Sequence, residues 1–120
     1  MIFKQKIIMS NLKNKVSLIG NVGNDPEITT LDSGKKVAKI SLATNDSYKN
    51  ANGEKVTTTE WHNLVVWNKL AEIVEKFVKK GSELAIEGKL TYSNKEVDGV
   101  KKYFTSIVVR ELLMLDKNNS

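Results

Sequence analysis

Two tryptophans, Trp61 and Trp67, stand six residues apart in a chain of 120 residues. An even spacing puts both indoles on one face of an extended strand, roughly 20 Å apart. Indole is a donor with no acidic or basic role near neutral pH. What it offers is a flat π surface for stacking. Tyr48, at the start of a polar stretch, adds a third such ring.

Residue types suited to catalysis are sparse. His62 is the single histidine, so a His-pair metal site is excluded, and no Ser-His-Asp pattern is evident. The chain has no cysteine, which removes disulfides and thiolate metal ligands and fits a reducing cytoplasm. Carboxylates occur singly among lysines, without an acid/base pair. Gly20-Asn21-Val22-Gly23 is too short for a phosphate loop and runs into Pro26 rather than a helix. The chain is therefore expected to be no enzyme and to need no cofactor or metal.

The charge balance points to a binding role. Nineteen Lys and Arg face fourteen Asp and Glu, a net charge of +5, and Arg110 is the one arginine. Lysines act as point charges on phosphates more than as bidentate readers of bases. Such a surplus suits an anionic partner, nucleic acid or membrane surface, and equally suits simple solubility. No apolar run approaches the roughly 20 residues that span a bilayer, so no membrane role is expected. Single-stranded nucleic acid is held by a basic groove with aromatic platforms, since every base has a stackable face. Trp61, Trp67 and Tyr48 fit as platforms, and Lys39, Lys49, Lys69 and Lys80 as phosphate contacts. The tryptophans fit a core or a subunit interface as well, and both roles stay open on pattern alone.

The elements that must position these residues are mostly strands. Residues 15–22 form a first strand, closed by Gly23-Asn24-Asp25-Pro26, with residues 27–31 a short extension past the bend. Residues 36–44 alternate, with Ala38, Ile40 and Leu42 on one face. Residues 56–67 place Leu64 and Val66 inward, with His62 on the same face, and Trp61, Asn63 and Trp67 outward. Asn68 is expected to cap a helix over residues 69–80 with an apolar stripe of Leu70, Ile73, Val74 and Phe77, closed by Gly81. Residues 82–91 and 103–110 are the last strands, with Gly88 marking a bend or bulge. Residues 45–56 and 92–102 read as long polar loops, with Asn52-Gly53 and Asp98-Gly99 near their tips. This order predicts an all-β fold with one helix. It is a five-stranded OB-fold barrel with the helix between strands 3 and 4. Residues 1–11 are expected as an N-terminal extension (with Met9-Ser10 an alternative start), residues 12–115 as the barrel and residues 116–120 as a frayed end.

Several segments resemble one family in order and spacing. They are Asn14-Lys15-Val16 through Gly20-Asn21-Val22-Gly23-Asn24-Asp25-Pro26-Glu27, then Leu42-Ala43-Thr44 with Tyr48, and Thr59-Glu60-Trp61-His62 with Lys69-Leu70-Ala71-Glu72. Lys80-Gly81-Ser82, Ile86-Glu87-Gly88-Lys89-Leu90 and Tyr103 with Thr105 continue the match over residues 12–110. Together they resemble the bacterial-type single-stranded DNA-binding (SSB) family. The resemblance implies an OB-fold subunit, usually of a homotetramer, that wraps single-stranded DNA in replication, repair and recombination. It places the chain in the cytoplasm, with the nucleoid. By position it makes Tyr48, Trp61 and Trp67 base-stacking aromatics and His62 a subunit contact.

The chain departs from the family at three places. A fourth aromatic, usual after the fourth strand, is replaced by Asn94-Lys95-Glu96, with Tyr92 nearby. Asn63 stands where a basic residue is common. The sequence stops soon after the barrel, without the family's acidic, Phe-ended tail, so tail-mediated protein partners are not expected. The alternative function is an OB-fold adaptor, like the primosome accessory proteins, that docks replication proteins.

Overall fold

In the computed structural model, which describes residues 9–115, a 3-10 helix (Met9–Asn14) leads into β1 (Val16–Val22) and β2 (Glu27–Thr30). Then come β3 (Lys36–Lys49), β4 (Lys55–Trp67), helix α1 (Asn68–Phe77), β5 (Glu83–Val97) and β6 (Val100–Met114). The expectations for residues 1–8 and 116–120 lie outside the described residues.

The strands form one sheet in the order β1-β5-β6-β4-β3-β2. A further pairing of β1 with β3, Asn21 opposite Ala43 and Val22 opposite Leu42, closes five of them into a barrel. β2 pairs only with β3, on the rim. All pairings are antiparallel except β4–β6, which matches Leu64 with Ile107 and Val65 with Val108. The expected OB barrel is thus present. Because β2 is a strand of its own, the helix falls between β4 and β5; it still separates the third and fourth barrel strands.

Alternation builds the core. Ala38, Ile40 and Leu42 of β3, Leu64 and Val66 of β4, Leu84 and Ile86 of β5, and Ile107 and Val109 of β6 point inward and are buried. Two glycines let the sheet curl tightly enough to close. A Cβ at Gly20 would overlap the Ala43 carbonyl oxygen, and one at Gly88 that of Val108. The bulge expected at Gly88 is there: the β5–β6 register jumps between Glu87 and Gly88, leaving Arg110 as the extra residue. Arg110 donates from Nη2 to the Asn14 carbonyl at 2.8 Å. Asn14 in turn exchanges two side-chain hydrogen bonds with the Leu90 backbone, at 3.0 and 2.8 Å, tying the chain's entry to β5.

The helix differs from expectation at three points. Asn68 does not cap it: the N-cap is Trp67, and no side-chain cap bond forms. β4 runs into α1 without a loop, so the turn is made at Asn68 itself, in a left-handed conformation (φ 58) that asparagine tolerates. The predicted stripe is only partly used. Ala71 and Val74, with Val78 just beyond, close the barrel end, while Ile73 and Phe77 are exposed. The end of a five-stranded barrel is narrow and accepts one thin strip of the helix. Gly81 (φ 93) does not end the helix but turns the chain into β5, its N–H donating to the Val22 carbonyl at 2.8 Å. Lys36 Nζ meets Glu75 Oε1 at 2.7 Å, and that hydrogen bond and charge hold the Lys36 ammonium above its ordinary pKa while tethering α1 to β3.

The two expected loops are instead β-arms. β3 and β4 stay paired from Asn45–Thr59 out to Lys49–Lys55, and β5 and β6 from Ser93–Phe104 out to Val97–Val100. Both faces of each arm meet solvent, so no apolar alternation marks them in the sequence. Their tips turn as expected: Gly53 has φ 80, and Asp98 and Gly99 have φ 53 and 79, the two positive values of a type I′ hairpin.

Replacing Gly20 by Ala is expected to cost about 1–3 kcal/mol or more, since backbone rather than a side chain must yield. Gly34→Ala, in open space at φ 90, is expected to cost only ~1 kcal/mol. Denaturant unfolding of the two variants checks this order.

Candidate nucleic-acid interface

The outer faces of β3 and β4 run side by side in strict register. Trp61 lies opposite Ala43, Asn63 opposite Ser41, Val65 opposite Lys39, and Trp67 opposite Val37. Both indoles stay accessible: Trp61 is 62% and Trp67 39% exposed. Trp61 leans on the β1–β2 bend. A Cβ at Gly23 would collide with the six-membered ring of its indole, so glycine there leaves room for it.

Between the tryptophans lies a groove of about 470 Å³. Lys39, Ser41, Asn63 and Val65 form its floor, Ser93, Lys95, Phe104 and Ser106 one wall, and Asn24, Asp25 and Glu27 the other. The second wall is acidic, and Glu27 pairs directly across from Lys39. The lysine of the groove that stands away from this acidic wall is Lys95, on the side of the β5–β6 arm.

The remaining predicted residues fall outside this groove. Tyr48 and Lys49 sit far out on the β3–β4 arm, opposite Val56 and Lys55. Strand alternation puts Lys49 on the Trp61 face and Tyr48 on the other. Lys69 is exposed in the first turn of α1, one residue past Asn68. Lys80 lies beside the β1–β2 bend, its backbone N–H donating to Asp25 Oδ1 at 2.9 Å. Tyr92 is exposed opposite Thr105, on the face of the β5–β6 arm turned away from Phe104. His62 is part-buried at the mouth of the barrel, its Nε2 3.0 Å from Thr44 Oγ1. Among the described residues no cluster of His, Asp or Glu could hold a metal ion, and no helix is long and apolar enough to cross a membrane.

Phe104, Lys95 and Lys102 were not singled out by sequence. Their signal is parity: Phe104 alternates with Ser106 and Val108, away from buried Ile107 and Val109. That parity means little until the flanking residues are known to be strand and not loop.

Comparison with known proteins places this geometry. The profile of the single-strand binding protein family matches residues 13–115. The chain belongs to that family. A single-stranded DNA-binding protein of Bacteroides thetaiotaomicron is 50% identical over 105 residues, covering 85% of this chain and 65% of the relative. One from Rickettsia typhi is 44% identical over 119 residues, covering 93% of this chain and 78% of the relative. Among solved structures, the Plasmodium falciparum SSB complex with ssDNA superposes with a TM-score of 0.79 at 33% identity, covering 86% of this chain and 95% of that one. A deletion mutant of the single-stranded DNA-binding protein from Thermus aquaticus gives 0.76 at 25% identity, over 88% of this chain and 51% of that one.

Gly23→Ala is expected to push the Trp61 indole off its seat while leaving the fold intact, because the ring is exposed and free to swing. In a Trp67→Phe background, a shifted emission maximum with an unchanged unfolding midpoint is the expected result.

Proposed function

We propose that this chain binds single-stranded DNA without sequence preference, covering it during replication, repair and recombination in the cytoplasm, with the nucleoid. The observation that carries this reading is the pair of accessible tryptophans on the outer face of β4, beside a groove floored by Lys39 and Asn63. Rings that served this chain's own core would be buried. Trp61 and Trp67 stack on bases, and Lys39, Lys49, Lys69 and Lys80 meet phosphates. Asn63 supplies a neutral hydrogen-bonding contact on the floor. Tyr48 and Tyr92 stack on strand segments that pass the far sides of the two arms. In this reading the protein binds and releases DNA, and the groove supplies stacking and charge groups.

Self-association has its own surface. Ile19 of β1, Ala85 of β5 and Leu113 of β6 line up in register across the outer face of the sheet. Ile19 is 60% and Leu113 62% exposed, on the side of the sheet away from the core. An apolar row across three strands suits packing against a second copy. A homotetramer, or a dimer, follows, with His62 at a further subunit contact.

Titration with oligo-dT is expected to quench tryptophan fluorescence deeply, with affinity falling steeply as salt rises. The Trp61→Ala, Trp67→Ala double variant is expected to lose roughly 2–6 kcal/mol, two stacked bases. Unchanged affinity in that variant, read by anisotropy of labelled DNA, removes the stacking role; no binding by the parent chain leaves the adaptor reading. Leu113→Glu is expected to lower the assembly's mass in light scattering, and an unaltered mass rules out this face as the interface.

A further inference from the structure

The β5–β6 arm carries lysines that form no ion pair among the described residues. Lys95 lies directly opposite Lys102 in the register, two positions out from the Ser93–Phe104 pair. Like charges directly opposite each other destabilise a ribbon. The ion pairs Lys15–Glu87 and Lys36–Glu75 involve neither residue. By alternation, Phe104, Lys95 and Lys102 share one face of the arm, and Phe104 and Lys95 line the groove that holds Lys39 and Asn63. Phe104 is 46% exposed there. The parallel β4–β6 register, Leu64 with Ile107, sets Phe104 level with Trp61 when counted back along both strands.

A phenyl ring half open to a polar groove, beside two like charges that form no ion pair among the described residues, matches one ligand chemistry: a flat base next to a phosphate. We infer that Phe104 is a base-stacking platform, with Lys95 and Lys102 closing on the adjoining phosphate. It supplies, from β6, the aromatic surface that Asn94-Lys95-Glu96 lacks. The inference rests on the proposed single-stranded DNA binding and adds a third ring to the Trp61 side of the groove. Asp25 and Glu27 across the groove decide which wall the phosphates follow, since a phosphate is repelled from their wall and drawn to the lysine wall.

The test uses the full chain and oligo-dT. Phe104→Ala is expected to weaken binding roughly tenfold, the scale of one stacked base, with the salt dependence unchanged because no charge is lost. Phe104→Tyr is expected to restore most of the affinity. Lys95→Gln and Lys102→Gln are each expected to lower the salt slope by about 1. A reporter separates contact from scaffold: Phe104→Trp in a Trp61→Phe, Trp67→Phe background is expected to be quenched by oligo-dT. If the parent chain binds while Phe104→Ala matches it and the reporter stays bright, Phe104 is no platform and DNA binding stands. If the parent chain itself does not bind oligo-dT, the proposed function fails and this inference fails with it.

Discussion

The seam between β1 and β3 is the constraint on which the rest of the molecule depends. It is only two register pairs long, Asn21 with Ala43 and Val22 with Leu42, extended by the Gly23 N–H donating to the Ser41 carbonyl at 2.8 Å. The seam forms because Gly20 has no side chain to meet the Ala43 carbonyl. Closing a sheet of five strands forces them to tilt and coil. The tilt gives the outer face its curvature, and the curvature brings the β5–β6 arm over β3 and β4 to make a groove. Gly88 plays the matching part on the far side, where the bulge bends β6 and frees Arg110 to hold Asn14.

Within the barrel everything is satisfied. Among the described residues no buried side-chain polar atom lacks a partner, and Ser82, buried, accepts the Lys79 N–H at 3.1 Å. The unresolved interactions are all outside. Lys49 faces Lys55 and Lys95 faces Lys102 on the two arms, and large aromatic surfaces stand in water at Trp61, Trp67 and Phe104. A stable closed core lets the surface keep features that cost stability in isolation. Under the proposed function, stacking and counter-charge from a polyanion would relieve both kinds at once. That division of labour explains why a single-domain barrel of this size holds its aromatic groups outward.

The barrel was legible because its strands are half buried. Period-two alternation from Ala38 to Leu42 and from Leu64 to Val66 exists only because one face meets the core. The same logic set Trp61, Asn63 and Trp67 outward, and the structure keeps them on one face. It failed where both faces meet solvent, so paired arms looked like loops and Phe104 went unseen. It also overreached on α1: the spacing of Ile73 and Phe77 matches a buried stripe, but the narrow barrel end covers only Ala71 and Val74.

By itself, then, the sequence determined the order of elements, the inward residues, the positions that must bend or turn and the face that carries the tryptophans. These follow from local stereochemistry and from the repeat of apolar residues along one chain. Only the tertiary structure decided what stands across from what. It set Lys39 against Glu27, Trp61 upon Gly23, and Lys95 with Phe104 over Asn63. Those neighbours come from different strands, and their meeting depends on register and on closure of the barrel, which no single segment encodes.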